Sequence, residues 1–217
     1  WPYAYSVDWI LEAGQFRILE YSCRYNLLQV LWGALFSLVG GGTFVGPRLS
    51  TVVVSVFGLV AFYDLLRRRL GEPTLAWWTT ALLAFDPLYF RLSLSFMTDV
   101  PLVALVALAF WFFDRGVTAG RVSLLVVSLT IAVAGYLVRE LAIVTPFAML
   151  ASLVLSRQSR FPAGILALLA IAAVAATALQ WWWIQNLGAT WGLQERTRGL
   201  RYLLEVPLSQ YVAALLA

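Results

Sequence analysis

The sequence predicts an all-α polytopic membrane protein with about six transmembrane helices and further interfacial helices. Of its 217 residues, 62% are hydrophobic and only 12% are charged, whereas soluble domains hold about 45–50% apolar and about 25% charged residues. Apolar stretches recur along the whole chain, which is not the pattern of a single cleaved signal peptide. A bilayer-spanning helix needs about 20 mostly apolar residues, so several of these stretches qualify once their flanks are included. The charge-free stretches are residues 25–47, 49–63, 73–85, 100–113, 122–138, 141–156 and 161–194.

The residue types exclude several classes of site. The chain has no histidine and one cysteine, Cys23, so an internal disulfide and the usual zinc ligands are missing, and acid–base chemistry falls to carboxylates. Gly40, Gly41 and Gly42 lack the following lysine or helix start of a phosphate-binding loop, and nothing suggests a soluble cofactor. The basic residues are all arginine and are spread among loops, so the net charge of +4 indicates membrane topology and not nucleic-acid binding.

The arginines predict which side of the membrane each helix end faces, because short loops rich in Lys and Arg stay on the cytoplasmic side. Every second helix boundary is rich in arginine: Arg67, Arg68, Arg69, Arg115, Arg121, Arg157 and Arg160, against Arg48, Arg91 and Arg139 at the others. The predicted helices therefore run inward over about 48–66, 99–114 and 140–156, and outward over about 73–92, 121–138 and 161–183.

Most of the polar residues of interest consequently fall at the outer, extracytoplasmic helix ends. They are Asp86, Arg91, Asp99, Arg139 and Glu140. The run Trp181-Trp182-Trp183 belongs at the same interface, where an indole ring has one apolar and one hydrated side.

Three regions follow along the chain. Residues 48–183 form the transmembrane bundle, with an outer-loop and interfacial segment before it (1–47) and an amphipathic outer-face segment after it (184–217). Residues 27–39 are apolar but short for a span, so a helix that crosses the membrane and one that lies along it are both open. The chain begins at Trp1 and ends inside an apolar stretch, and we expect it to be part of a longer protein.

Asp99 has two readings. In the first, this carboxylate at the start of an apolar run is a metal ligand or a substrate contact, because ionisable groups at membrane depth tend to face water-filled cavities and mark functional sites. Alternatively, Thr98 or Asp99 caps the helix, and Pro101 fits its first turn, where a missing N–H costs nothing. A cap does not exclude a site.

Arg139 and Glu140 stand between two apolar runs, so both charges lie near the lipid boundary or inside the bundle. They pair with each other, or with Arg91 and Asp99, as intramembrane charges usually do. Alternatively, Arg139 presents its guanidinium to a phosphate, a geometry that arginine favours.

Three further acidic residues have a structural interpretation first. Asp86-Pro87 is typical of a helix terminator or kink, with Asp86 as the cap. Asp8 and Glu12 follow the four-residue step of a helix face and read either as a general base with its neighbour or as a solvated face.

The order of these pieces resembles the GT-C class of membrane glycosyltransferases, more narrowly the family 39 (protein O-mannosyltransferase) and aminoarabinose-transferase type. In that family a first outer loop precedes a helix that opens with an Arg-Leu-Ser or Arg-Leu-Pro step, here Arg48-Leu49-Ser50, and a second outer loop carries an aspartate, here Asp99. The matching segments are YAYSVDWILEAGQF (3–16), the run 32–71, AFDPLYFRLSLSFMTDVPL (84–102) and YLVRELAIVTPFA (136–148).

The resemblance implies transfer of a sugar from a polyprenyl-phosphate donor to an acceptor at the extracytoplasmic face of a bacterial-type cytoplasmic membrane, with inversion at the anomeric carbon. It implies that Asp99 shapes the site or holds a divalent cation, Mg or Mn, and that Arg139 lies near the lipid phosphate. Tyr3, Tyr5, Arg91 and Glu140 are then expected substrate contacts. The expected partners are the lipid donor and membrane lipid, with no nucleic acid.

The chain departs from the family pattern at its start. The acidic pair of the first outer loop normally comes directly before the aromatic segment that matches Tyr3 to Tyr5. The catalytic base is therefore expected upstream of Trp1, and Asp8 is the acidic residue nearest to it, our catalytic candidate together with Asp99. This also favours a non-crossing helix over 27–39, which keeps residues 1–24 on the side of Asp99.

A second class of function is a transporter or flippase of lipid-linked substrates without bond chemistry. Carriers commonly have charged groups or broken helices near the bilayer midplane. Here the helix interiors are apolar and the charges gather at the ends, which favours a surface-facing site and an enzyme.

Overall fold

The computed structural model describes residues 2–13, 27–40, 44–155 and 163–186, and this part of the chain consists of helices and the turns that join them, without a strand. The helices are α1 (Pro2–Ala13), α2 (Leu27–Gly40), α3 (Val45–Leu70), α4 (Pro73–Ala84), α5 (Pro87–Ser93), α6 (Asp99–Ala119), α7 (Val122–Gly135), a 3₁₀ turn (Glu140–Ile143), α8 (Val144–Leu155) and α9 (Ala163–Asn186). The all-α prediction is confirmed for these residues.

The helix ends follow local sequence signals. Gly71 (φ 71°) and Gly120 (φ 63°) close α3 and α6 in the left-handed conformation that glycine adopts without a steric penalty. Pro73 opens α4 at a position where a missing N–H costs nothing. These signals extend α3 beyond the predicted 48–66 and α6 beyond 99–114.

The prediction of one helix over 73–92 is wrong in one respect, because the run breaks into α4 and α5. Asp86 accepts hydrogen bonds from the backbone N–H groups of Leu88 (3.0 Å) and Tyr89 (2.9 Å), so it caps α5, and Pro87 occupies the first helical position. The reading of Asp86-Pro87 as a terminator and cap is therefore confirmed.

Helices α3 and α6 form the centre of the bundle and run in the same direction. Gly58 of α3 faces Ala104 of α6 so closely that an added Cβ would lie 2.5 Å from the Ala104 Cα. On its other side α6 packs against α7, where the buried Ser128 hydroxyl donates to the Ala109 carbonyl at 2.7 Å. Leu125 of α7, Leu150 of α8 and Leu169 of α9 belong to one buried cluster, so the core continues to α8 and α9.

Helices α1 and α2 lie at the starting end of α3. Gln29 of α2 donates to the Thr51 hydroxyl (3.4 Å), and the Trp32 indole donates to the Ser50 carbonyl (3.0 Å). Helix α1 then packs on α2 through Val7 and Val30, which share a buried cluster with Phe96. Helix α1 is therefore held close to the segment that leads into α6.

Two helices in the described part, α3 and α6, are by themselves long and apolar enough to cross a bilayer, and four shorter apolar helices accompany them. Large apolar side chains cover the outside of the bundle, among them Phe57, Leu82 and Leu168, each more than half exposed. Exposed apolar surface of this extent marks a lipid-facing protein. The expected amphipathic segment 184–217 lies outside the described residues, apart from the end of α9.

Candidate functional site

Asp99 and Arg139 form an ion pair at the starting end of α6. The Arg139 guanidinium donates through Nη1 to Asp99 Oδ1. The Arg139 side chain is 31% exposed and the Asp99 side chain is 46% exposed. The two charges neutralise each other, and the pair is still open to water or a ligand. Of the partners considered for Arg139, the structure shows Asp99 in contact with it, and contact with a phosphate stays a prediction.

The SFMTD segment positions Asp99. Phe96 is 2% exposed and its ring lies against α2, where a side chain at Gly33 would collide with it. Thr98 precedes the first helical residue, and its side chain makes no cap bond. Asp99 therefore enters the first turn of α6, where a carboxylate is favoured by the helix dipole, and directs its oxygen to Arg139.

Arg139 lies in an extended break between α7 and the 3₁₀ turn. Its backbone N–H donates to the Gly135 carbonyl (3.0 Å), and its own carbonyl accepts from Ala142 (3.1 Å). Val138 is 1% exposed and anchors the break, while the Leu137 carbonyl accepts from Leu28 of α2 (3.0 Å). The break is fixed on both sides, so the guanidinium leaves the core at a defined place.

The other predicted site residues lie on α1, on α5 and directly after Arg139. Arg91 is exposed in the last turn of α5, and no described residue bonds to it. Glu140 opens the 3₁₀ turn directly after Arg139 and is half-buried. Tyr3 and Tyr5 lie in α1, but their side chains fall outside the described residues.

Asp8 is the other predicted catalytic carboxylate. It follows Val7, which is 1% exposed and packs in the cluster of Phe96, three positions before Asp99. Asp8 itself is half-buried and Glu12 is exposed. Both predicted carboxylates therefore belong to the same end of the bundle.

The arginine-rich end of the bundle is at the opposite end of α3 and α6. Asp64 accepts hydrogen bonds from Arg67 (2.8 Å), Arg68 (2.8 Å), Arg115 (3.0 Å) and the Trp111 indole (2.8 Å). Along α6, Arg115 is about 24 Å from Asp99 at about 1.5 Å per residue. This separation is close to the thickness of a bilayer core, about 30 Å. Arg157 and Arg160, which also entered the topology argument, lie outside the described residues.

Metal binding at Asp99 has little support from nearby ligands. Among the described residues, no group of three or more His, Cys, Asp or Glu side chains is arranged to hold an ion. Asp99 also already faces a guanidinium. A divalent cation at this position stays a prediction.

The sequence did not predict the apolar groove of about 280 Å³ beside the pair. Trp32, Phe57 and Leu105 line it, together with Pro101 and Val138. Pro101 follows Asp99 by two positions, and Val138 directly precedes Arg139. These side chains sit in uniformly apolar runs, and no pattern in such a run separates a groove wall from a lipid-facing position.

Comparison with protein families gives one match. The sequence model of the family described as dolichyl-phosphate-mannose-protein mannosyltransferase matches residues 28–193. The matched range runs from the second residue of α2 past the end of α9 and therefore includes both members of the ion pair. No curated protein and no solved structure matches the chain.

Proposed function

The chain belongs to the dolichyl-phosphate-mannose-protein mannosyltransferase family and is a membrane glycosyltransferase of the GT-C type; from this premise we propose that it moves a sugar from a polyprenyl-phosphate donor to an acceptor at the extracytoplasmic face, with inversion. The observation that carries the proposal is the pair of Asp99 and Arg139 at the end of the bundle opposite the arginine-rich turn. It offers a positive group for the phosphate and a carboxylate for the acceptor.

The transfer is a displacement at the anomeric carbon. The acceptor oxygen forms the new bond to that carbon, the bond from the carbon to the phosphate oxygen breaks, and polyprenyl phosphate leaves with the bonding electron pair. Attack opposite the leaving group inverts the configuration. The acceptor proton goes to a carboxylate within hydrogen-bond reach, and Asp99 and Asp8 are the candidates in the described residues.

Arg139 acts on the leaving group. A guanidinium carries five N–H donors in a planar fork that matches phosphate oxygens. Positive charge aimed at the departing phosphate stabilises the charge that develops there in the transition state. Arg91 and Glu140, with Tyr3 and Tyr5 on α1, complete the proposed substrate contacts.

Donor binding has a consequence for Asp99. In the ion pair, the Asp99 carboxylate accepts a hydrogen bond from Nη1 of the Arg139 guanidinium. A donor phosphate competes for the same guanidinium, so its arrival loosens the pair and leaves the carboxylate available to the acceptor. Exposure of both side chains supports this exchange, because neither has to leave a sealed core.

The bundle crosses the membrane about six times in this proposal. Helices α4 and α5 together make one crossing, and α2 stays on the outer side. Its contacts with Ser50 and Thr51, close to the start of α3, support that position. The region 48–183 is then the bundle, with 1–47 as its outer cover.

The experiment is a transfer assay with the full-length protein in membrane vesicles. The family description names mannose on dolichyl phosphate, so a polyprenyl-phosphate mannose labelled in the sugar is the first donor to use. The proposal expects label in an acceptor and unlabelled polyprenyl phosphate as the second product. Label that crosses the bilayer with its sugar–phosphate bond intact, at an undiminished rate in the variant Asp99→Asn, would instead identify a flippase.

A further inference from the structure

A second apolar groove lies between α3 and α4, on the outside of the bundle, and we call it the α3–α4 groove. Its volume is about 320 Å³. Leu59, Val60 and Tyr63 line it on α3, and residues between Trp77 and Phe85 line it on α4. Val60 is 61% exposed, and Trp77 and Phe85 are also more than half exposed. In a membrane these side chains face lipid, so a lipid chain enters the α3–α4 groove from the side without passing through water.

The dimensions of the α3–α4 groove fit part of one acyl chain. Its wall on α4, from Trp77 to Phe85, is about 12 Å long at about 1.5 Å per residue. Its volume is near the lower limit of the pockets that enclose a drug-sized molecule, about 300–1,000 Å³. The α3–α4 groove therefore takes a segment of one hydrocarbon chain that lies along the helices, and the rest of the lipid stays in the bilayer.

One end of the α3–α4 groove points toward Arg67. Val60, Tyr63 and Arg67 follow the three- and four-residue steps of one helix face, so Arg67 lies one turn beyond Tyr63 on the groove side of α3. Its side chain is 50% exposed and contacts Asp64 through Nη2. A guanidinium has five N–H donors, so the contact with Asp64 leaves donors for a second anion. Arginine also extends along apolar surface and keeps its charged group in the hydrated interface.

The arginine-rich end of the bundle carries excess positive charge. Four arginine side chains share two carboxylates in its ion pairs: Arg67, Arg68, Arg69 and Arg115 with Asp64 and Asp114. Two positive charges in these ion pairs are therefore not compensated. Glu72 and Arg121, both exposed at the same end, add one charge of each sign. Basic clusters of this kind beside a bilayer attract anionic lipid headgroups.

Two aromatic side chains mark the level of the headgroup. Tyr63 on α3 and Trp77 on α4 line the α3–α4 groove at the end that points toward Arg67. Tyr and Trp are enriched at membrane interfaces, where the ring lies against apolar chains and the polar atom is hydrated. A lipid whose chain lies between the helices consequently has its headgroup beside Arg67. An acyl chain joined to a phosphate that keeps a net negative charge satisfies both parts of the site.

We propose that the α3–α4 groove binds an anionic glycerophospholipid, of the phosphatidylglycerol type, with one acyl chain between the helices and the phosphate at Arg67. In the proposed topology the lipid comes from the cytoplasmic leaflet, at the end of the bundle opposite Asp99 and Arg139. The site supplies no group to the sugar transfer and does not depend on it. Ala76 is the buried residue of the short helix α4, so a lipid that contacts both walls helps to hold α4 against α3.

The test measures which lipid the purified full-length protein selects. The protein in detergent is given phosphatidylglycerol with a photoreactive group in its acyl chain, and crosslinked residues are mapped by mass spectrometry. We expect crosslinks within residues 59–63 and 77–85. Unlabelled phosphatidylglycerol should compete about fivefold better than phosphatidylcholine, the effect of one arginine close to an anionic lipid.

Substitution of Arg67 tests the headgroup contact. Arg67→Gln should remove the preference for phosphatidylglycerol over phosphatidylcholine, and Arg67→Lys, which keeps the charge, should retain most of it. Arg121→Gln is the matched control, because Arg121 is exposed at the same end and outside the α3–α4 groove. It should leave the preference unchanged.

Substitution of Val60 tests the chain contact. Val60→Trp fills the α3–α4 groove with a side chain that starts from an exposed position, and it should lower crosslinking at residues 77–85 about fivefold or more. Leu82→Trp is its control, because Leu82 is 74% exposed on α4 and does not line the α3–α4 groove. Crosslinking in this variant should equal that in the unchanged protein.

Several results would overturn the proposal. They are equal competition by the two lipids, an equal loss of preference in Arg67→Gln and Arg121→Gln, undiminished crosslinking in Val60→Trp, and crosslinks in other helices alone. Selective crosslinking in a protein that transfers no sugar would leave the lipid site in place and reject only the proposed function.

Discussion

The Arg139 guanidinium donates to the Asp99 carboxylate although the two residues are 40 positions apart in the chain. This contact joins the first turn of α6 to the break before the 3₁₀ turn. An unpaired charge at the edge of an apolar bundle is costly, and the pair reduces that cost for both residues. It also gives each residue a partner that a substrate can replace.

Replacing Asp99 by asparagine separates catalysis from donor binding. We expect kcat to fall well over tenfold, because the amide cannot accept the acceptor proton. Binding of polyprenyl phosphate should become tighter, because the carboxylate no longer competes for Arg139. Steady-state kinetics and a binding titration of the purified protein measure the two effects.

The control for that change is Asp86→Asn, the same substitution at a carboxylate that caps α5 and takes no part in the ion pair. Asparagine caps helices about as well as aspartate, so α5 and the activity should be retained. Unchanged turnover in the variant Asp99→Asn would remove Asp99 from the site, and weaker donor binding would reject the exchange of partners.

Replacing Arg139 by glutamine should weaken the donor and slow the transfer. The phosphate loses its charge-assisted bonds, and the leaving group loses its stabilisation, so we expect kcat/KM to fall about a hundredfold or more. Arg139→Lys keeps the charge without the planar fork and should recover part of the loss. Arg121→Gln, an exposed arginine at the other end, is the control. Equal activity of Arg139→Gln and Arg121→Gln would place the phosphate elsewhere.

The opposite end of the bundle makes a prediction about stability. Asp64 accepts from the Trp111 indole and from Arg115, which also stacks on the Trp111 ring at 4.0 Å from its centroid. In Asp64→Asn these partly buried donors lose their charged acceptor, at a cost of about 1–3 kcal/mol. The melting temperature of the detergent-solubilised protein should fall accordingly.

Arg67→Gln removes a single exposed partner of the same carboxylate. Its cost should stay below about 1 kcal/mol, as for most surface ion pairs. If the two variants melt at the same temperature, Asp64 does not tie α3 to α6.

Charge-free apolar runs, and the residues at their boundaries, predicted most of the helices. The Asp86-Pro87 step and the charge-free runs are local signals, and the structure keeps them. Gly71 and Gly120 are local signals too, but the sequence analysis did not use them, and its predicted ends of α3 and α6 were too early. The split of 73–92 into two helices was the exception, since the Asp86-Pro87 step was interpreted as a terminator or kink but the predicted helix was still drawn across it.

Contacts between residues that are far apart in the chain were harder to predict from the sequence. The sequence offered several partners for Arg139, and a choice among them required the packing of Phe96, which sets the start of α6, and the bond between Leu28 and Leu137, which fixes the break. The groove beside the pair was not predictable, because its walls differ from their apolar neighbours only by position in three dimensions.

The most direct test of the account is the side of the membrane on which the pair lies. In a full-length protein with every cysteine, including Cys23, replaced by serine, single cysteines replace Arg91, an exposed residue near the Asp99 end, and Glu72, an exposed residue after the arginine-rich turn. Intact cells are then treated with a membrane-impermeant thiol reagent. The account predicts labelling at position 91 in intact cells and at position 72 only after permeabilisation. Labelling of position 72 but not position 91 in intact cells would put the pair on the cytoplasmic side and contradict sugar transfer at the outer face.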